Sequence, residues 1–145
     1  MKKLTIVFLI IPLMLMTMKA NADKGQHDII DDLIPHIILA ESGGRLKAVS
    51  RDGCRGICQL SRAAWKEVMD VPYIPNVYNP KLNKIACKRY LILLKKRLGK
   101  HYTLERLLGS YNMGLAKLKR LNYQWWRIRE TRNYVRKIKG HLQKQ

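Results

Sequence analysis

Acidic side chains are scarce in this sequence: 10 Asp and Glu stand against 29 Lys and Arg in 145 residues, a net charge of +19. Such a charge repels cationic partners and attracts polyanions: nucleic acid, anionic lipid headgroups or an anionic cell-wall polymer. The sequence lacks both a zinc-finger spacing and an RNA-binding aromatic signature, so nucleic acid is not expected as a partner. Cysteine is limited to Cys54, Cys58 and Cys87, and the four histidines (His27, His36, His101 and His141) show no ligand spacing relative to them. No metal site and no cofactor is expected. Internal repeats and low-complexity linkers are absent as well, which leaves one domain. The weak strand signal leaves an α or α-rich fold.

A long hydrophobic run is also missing. The apolar stretch Leu4 to Met18 is broken by threonines and Pro12, and it is short for a spanning helix, which needs ~20 apolar residues. Met1-Lys2-Lys3 precedes it and Ala20-Asn21-Ala22 follows, a positive start and a small-x-small end. This is the pattern of a signal peptide over residues 1–22, cleaved before Asp23. No cysteine at the junction argues for a lipoprotein anchor. The expected location is outside the cytoplasm, in the periplasm or cell wall, with no membrane insertion after cleavage. Removal of Lys2, Lys3 and Lys19 leaves 26 basic and 10 acidic side chains, a net +16, on residues 23–145. In an exported chain three cysteines permit one disulfide and leave one thiol.

What is present is mostly helical periodicity. Ile30, Ile34, Ile37, Ile38 and Glu41 share one helical face, Asp32 suits an N-cap with Pro35 in the first turn, and Gly43-Gly44 ends the helix. Ser61 caps a second helix with Trp65, Val68 and Met69 inward. Pro72 and Pro75 make Val71 to Asn79 a loop. A long helix follows with Leu82, Ile85, Ala86, Tyr90, Leu93 and Leu94 inward, ending near Gly99. Thr103 opens another through Leu104, Leu107, Leu108 and Tyr111, broken by Gly114. The last helix sets Ile128, Val135, Ile138 and Leu142 on one side and an Arg-rich face on the other.

Among these elements the stretch "LAESGGRLKAVSRDGCRGICQLS", Leu39 to Ser61, is distinctive. It sets one carboxylate, Glu41, at the end of an apolar helix and follows it with a glycine-rich turn. A carboxyl held among isoleucines is poorly solvated, which disfavours its charged form and raises its pKa, whereas one at a helix end that swings into solvent stays an ordinary glutamate; composition leaves both open. A carboxyl protonated near neutral pH can donate a proton to a leaving oxygen, as glycosidic bond cleavage requires.

The ordered set "ES" (Glu41-Ser42), "AVS" (Ala48 to Ser50), "GCRGICQLS" (Gly53 to Ser61), "SYNMG" (Ser110 to Gly114) and "ETRNYV" (Glu130 to Val135) resembles the lytic transglycosylases, and within them the soluble lytic transglycosylase catalytic domain. Asn83, Ala86, Tyr90 and Leu91 match that domain's helix too, so the resemblance covers nearly all of residues 33–140. It implies a mainly α, lysozyme-like (α+β) fold, a single helical lobe with a glycan-binding cleft. The implied substrate is peptidoglycan, at the β-1,4 bond between N-acetylmuramic acid and N-acetylglucosamine. In this family one glutamate both protonates the glycosidic oxygen and takes the proton of the sugar's own 6-hydroxyl, which closes a 1,6-anhydro ring. Ordinary glycosidases use a second carboxylate to attack or to hold water; here the nucleophile belongs to the substrate.

By position, the resemblance makes Glu41 the catalytic residue. Ser50 and Gln59 match cleft residues near the carboxyl and the sugar, and Tyr111 and Asn112 match a pair lining the cleft. Tyr134 matches a tyrosine that orients the carboxyl, and Glu130 a cleft glutamate that is not the acid. Gly53 and Gly56 would let a sugar approach the backbone. The chain departs from the family at Ser110, Met113 and Ala64. Cys54 and Cys58 stand where the family has alanine and methionine, and Cys87 where its helix carries a glycine. Cys54 or Cys58 could therefore reach Cys87, and a Cys54–Cys58 bond is also sterically possible.

Three other functions remain compatible with the residues: a hydrolytic muramidase in which Asp52 or another carboxylate positions water, a non-catalytic peptidoglycan-binding assembly protein, and a basic membrane-active protein. A catalytic domain without a wall-anchoring module serves either wall turnover or local opening of the wall for a secretion or conjugation machine.

Overall fold

A computed structural model describes residues 29–144. The expected leader, residues 1–22, lies outside the described residues. Helix α1 spans Ile29–Glu41, α2 Arg62–Val68, α3 Tyr73–Asn76, α4 Pro80–Leu98, α5 Leu104–Met113, α6 Leu115–Arg120 and α7 Arg129–Leu142. Single 3-10 turns cover Gly99–His101 and Trp125–Arg127. The β content among the described residues is two isolated antiparallel bridges, Val49 with Arg55 and Arg55 with Leu60. The fold is therefore mainly α, as expected.

Helix boundaries follow local chemistry. Ser61 accepts the Ala64 N–H, Thr103 accepts that of Arg106, and Asn79 accepts from Lys81 and Leu82, with Pro80 in the first turn where its missing N–H costs nothing. Gly114, at φ 84°, ends α5. Helix α1 differs from expectation. It already includes Ile29, and Pro35 lies inside it, exposed to solvent, rather than in a first turn capped by Asp32. The expected loop from Val71 to Asn79 contains the short α3, which exists to bury Tyr73.

Helices α1, α4, α5 and α7 pack around one core. Leu33 and Ile37 of α1, Leu91 and Leu94 of α4, Leu107 and Leu108 of α5, and Val135 and Ile138 of α7 are almost wholly enclosed. The inner faces are rotated slightly from those the apolar pattern indicates. In α1 the core stripe is Ile30, Leu33 and Ile37, with Ile34 and Ile38 at its margin. In α4 it is Asn83, Ala86, Cys87, Leu91, Leu94 and Leu98, while Ile85 is 44% exposed. The shift arises because a polar residue, Asn83, occupies a core position. Its amide N–H donates to the Val77 carbonyl at 2.8 Å, and its Oδ1 accepts the Cys58 N–H at 2.9 Å. With both ends of the amide bonded, its burial carries little penalty.

Candidate active site

Glu41 is the last residue of α1, one turn beyond the buried Ile37. Burial pushes its carboxyl up to about 7; contact with the Tyr134 hydroxyl lowers it in part, and the Glu130 charge raises it further. The position adds to this effect, since the carbonyl end of a helix disfavours a negative charge. A carboxyl with that pKa is present in both protonation states at neutral pH, so one side chain can give and then take a proton.

The loop after Glu41 is fixed by side chains that bond to its backbone. Buried Ser42 donates to the Ile57 carbonyl at 2.7 Å and accepts the Gly44 N–H at 3.1 Å, which ties the end of α1 to the far limb of the loop. Ser50 Oγ accepts the Cys54 N–H at 3.1 Å. Gln59 Nε2 donates to the carbonyls of Gly56 (2.8 Å) and Ala48 (3.2 Å). Among the described residues Gln59 Oε1 has no hydrogen-bond partner, and the residue is held at a positive φ of 51°. Tyr73 Oη donates to the Leu60 carbonyl at 2.7 Å. Gly56, at φ 76°, is buried, and a Cβ there would lie 2.4 Å from both Asn83 Nδ2 and the Val77 carbonyl. The close approach that this glycine permits is therefore to Asn83 of the same chain. Gly53, at φ 80°, has open space beside it.

Helices α5 and α7 supply the remaining residues. Tyr111 Oη donates to the Cys58 carbonyl at 2.8 Å, and its ring meets that of Tyr90 edge-on at 5.9 Å. Its hydroxyl is turned into the fold and supports the loop. Asn112 Oδ1 accepts from buried Thr131 Oγ1 at 2.7 Å, which binds α5 to α7. Tyr134 faces Glu41. Its buried hydroxyl influences that carboxyl yet makes no hydrogen bond of regular geometry. Glu130, in the first turn of α7, is exposed and near enough for its charge to act on Glu41. Asp52 is exposed and acts on Cys54 rather than on Glu41.

The structure thus gathers Glu41, Tyr134 and Glu130 at one point. It places Ser50, Gln59 and Tyr111 in the bonding that shapes the adjoining loop. Asn83, Thr131 and Tyr73 also hold the site, and the apolar pattern passes over them because they are polar. A signal for Asn83 exists in its spacing: it is three residues before Ala86 and four before Cys87, on their face of α4. A surface pocket of about 570 Å³ lies elsewhere, lined by Ile34, Pro35, Ile38, Gly43, Gly44 and Lys84 on the outer side of α1. Among the described residues no group of three or more His, Cys, Asp or Glu is placed to hold a metal ion, and no helix is long and apolar enough to cross a membrane.

A half-buried helix-end glutamate facing a tyrosine, on a helical lobe with almost no sheet among the described residues, fits the lysozyme-like lytic transglycosylases. Residues 17–131 match the transglycosylase SLT domain family, and the chain belongs to that family. Its fold is similar to that of lytic transglycosylase Slt from Pseudomonas aeruginosa, solved as an inactive mutant. The TM-score is 0.64 at 20% identity, over 73% of this chain and 20% of that one. The chain therefore spans about a fifth of that protein's length, and the likeness is one of fold.

Proposed function

We propose that this protein is a peptidoglycan lytic transglycosylase in which Glu41 is both general acid and general base. The observation that carries the reading is the half-buried Glu41 carboxyl, pushed up to about 7 at the end of α1 and faced by Tyr134. The protonated carboxyl gives its proton to the oxygen between N-acetylmuramic acid and N-acetylglucosamine as the C1–O bond breaks. The resulting carboxylate then takes the proton of the muramic 6-hydroxyl as that oxygen bonds to C1. The proton lost in the first step returns in the second, and no water is consumed. Gln59 Oε1 and the Asn112 amide N–H groups, without a hydrogen-bond partner among the described residues, would hold the glycan, with Ser50, Tyr111 and Glu130 bordering it. Glu130 is exposed, and Asp52 does not act on Glu41, which disfavours a hydrolytic muramidase with Asp52 as the water-holding carboxylate.

The leader expected from the sequence at residues 1–22 and the scarcity of acidic groups support action outside the cytoplasm, on an anionic wall. There the protein would serve wall remodelling or the local opening needed by a secretion or conjugation apparatus. Mass spectrometry of muropeptides released from purified peptidoglycan tests the reaction. Anhydro-muramic termini, one water lighter than hydrolysed ends, are expected; reducing muramic ends as the major product would make the enzyme a hydrolase.

A further inference from the structure

The three thiols differ in their surroundings. Cys54 is half-exposed, whereas Cys58 and Cys87 have no exposed surface. Two bonding paths bring Cys58 to Cys87. On one side the Cys58 N–H donates to Asn83 Oδ1 at 2.9 Å, and Asn83 precedes Cys87 by one helical turn on the same face of α4. On the other, the Cys58 carbonyl accepts from Tyr111 Oη at 2.8 Å, and that hydroxyl lies 3.4 Å from Cys87 Sγ. These ties hold Cys58 and Cys87 close together in the core, with both residues enclosed. The Cys54 thiol instead interacts with Ser50, and its carboxylate neighbours are Glu41 and Asp52.

We propose that Cys58 and Cys87 form a dithiol site, oxidised to a disulfide as the chain folds in an oxidising compartment, which fastens the Gln59 loop to α4 and leaves Cys54 as the single thiol. The oxidant is a disulfide, either of a protein oxidoreductase or of a small thiol. One cysteine thiolate attacks it to give a mixed disulfide, and the second thiolate displaces the oxidant's remaining sulfur. The pair's two electrons and two protons leave as two thiols on the oxidant. The thiolate is the attacking species, and the Cys87 contact together with burial raises the Cys58 thiol well above its ordinary value. With neither residue exposed, the folded dithiol is out of reach of an exchanging disulfide, so the bond forms before the core closes and afterwards is shielded by it. This inference is independent of the catalytic reading, since its test does not use activity.

Peptide mapping decides the pairing. Trypsin cuts after Arg51, Arg55, Arg62, Lys84 and Lys88, which puts each cysteine on its own peptide. Wild-type protein is refolded in mixed oxidised and reduced glutathione, quenched in acid, denatured and alkylated. The peptide containing Cys54 is expected to carry the label, with those of Cys58 and Cys87 joined. A link involving Cys54, or three labelled cysteines, would overturn the proposal. The oxidised wild type and Cys54→Ala should both melt roughly 10 °C above their reduced forms, and Cys87→Ala should show no such difference. A redox-dependent rise that survives in Cys87→Ala would also overturn it. If Cys87→Ala does not fold, the wild-type map still decides. Reductant added to native oxidised protein should leave the bond intact until denaturant is present; ready reduction of the native protein would refute the protected pair.

Discussion

The loop from Ser42 to Leu60 and helix α7 meet at Glu41, and they are held by different forces. The loop has only two isolated bridges and a few turn bonds of its own, so further amides and carbonyls find partners on the side chains of Ser42, Ser50, Gln59, Tyr73, Asn83 and Tyr111. Helix α7 satisfies its own backbone and is fixed by an apolar stripe, Val135 and Ile138, beneath an outer face of Arg129, Arg136 and Lys137. Loss of one polar tie should therefore disturb the loop, whereas many changes on the outer face of α7 should pass unnoticed. Glu41 lies between them, in a site poorly solvated enough to hold its proton.

The most severe way to test this arrangement is to remove what both regions enclose. Glu41→Gln should lower peptidoglycan turnover by ~10²–10⁴, the usual worth of a general acid and base, with unchanged circular dichroism. It should also change stability in a pH-dependent way. The wild-type carboxyl titrates at about 7 in the fold against 4.5 in the open chain, so between those values the folded state binds more protons. Wild-type stability then falls as pH rises from 4.5 to 7, by on the order of 3 kcal/mol, and levels off above. Urea unfolding should show Glu41→Gln gaining on the wild type by that amount at pH 8 relative to pH 4. A constant difference across pH would mean that Glu41 is solvated.

Two tyrosines sharpen the contrast on a smaller scale. Tyr111→Phe removes the donor to the enclosed Cys58 carbonyl and should cost about 1–3 kcal/mol of stability. Tyr134→Phe removes a hydroxyl that has no regular partner and should cost less. Because that hydroxyl lowers the Glu41 pKa, its loss should move the alkaline limb of the pH–activity profile upward. The reverse outcome, a stability loss at Tyr134 and a shifted profile at Tyr111, would invert the roles assigned to the loop and to α7.

The smallest effect on the fold is expected at the outer face. Replacing Arg129, Arg132 and Arg136 with glutamate should leave stability within about 0.5 kcal/mol per site and turnover of short soluble glycans nearly unchanged. Binding of intact sacculi should weaken at low salt. Wild-type binding should itself fall as salt rises, since exposed charges are screened over ~8 Å at physiological ionic strength. Salt-independent binding, or an equal loss with short substrates, would place these arginines in the glycan site itself.

Much of this was legible in the sequence because it depends on neighbours in the chain. The caps at Ser61 and Thr103, the break at Gly114, the helical character and the ordered motifs around Glu41 are local, and local spacing determines them. The inward rotation of α4 was not legible, because Asn83 is buried by partners at Val77 and Cys58 that only the folded chain brings near. Ile85 is apolar yet exposed for the same reason: the face that turns inward is chosen by what it meets. The sequence by itself therefore determined the longer helices, the family and the identity of the candidate acid, but not the short α3 and α6. The tertiary structure alone decided that Glu41 is desolvated enough to titrate at about 7, that the Tyr111 hydroxyl supports the loop while Tyr134 faces the carboxyl, and that Cys58 rather than Cys54 stands beside Cys87. Desolvation and hydrogen-bond choice depend on distances through space, and residues far apart in the chain set those distances only once they have packed.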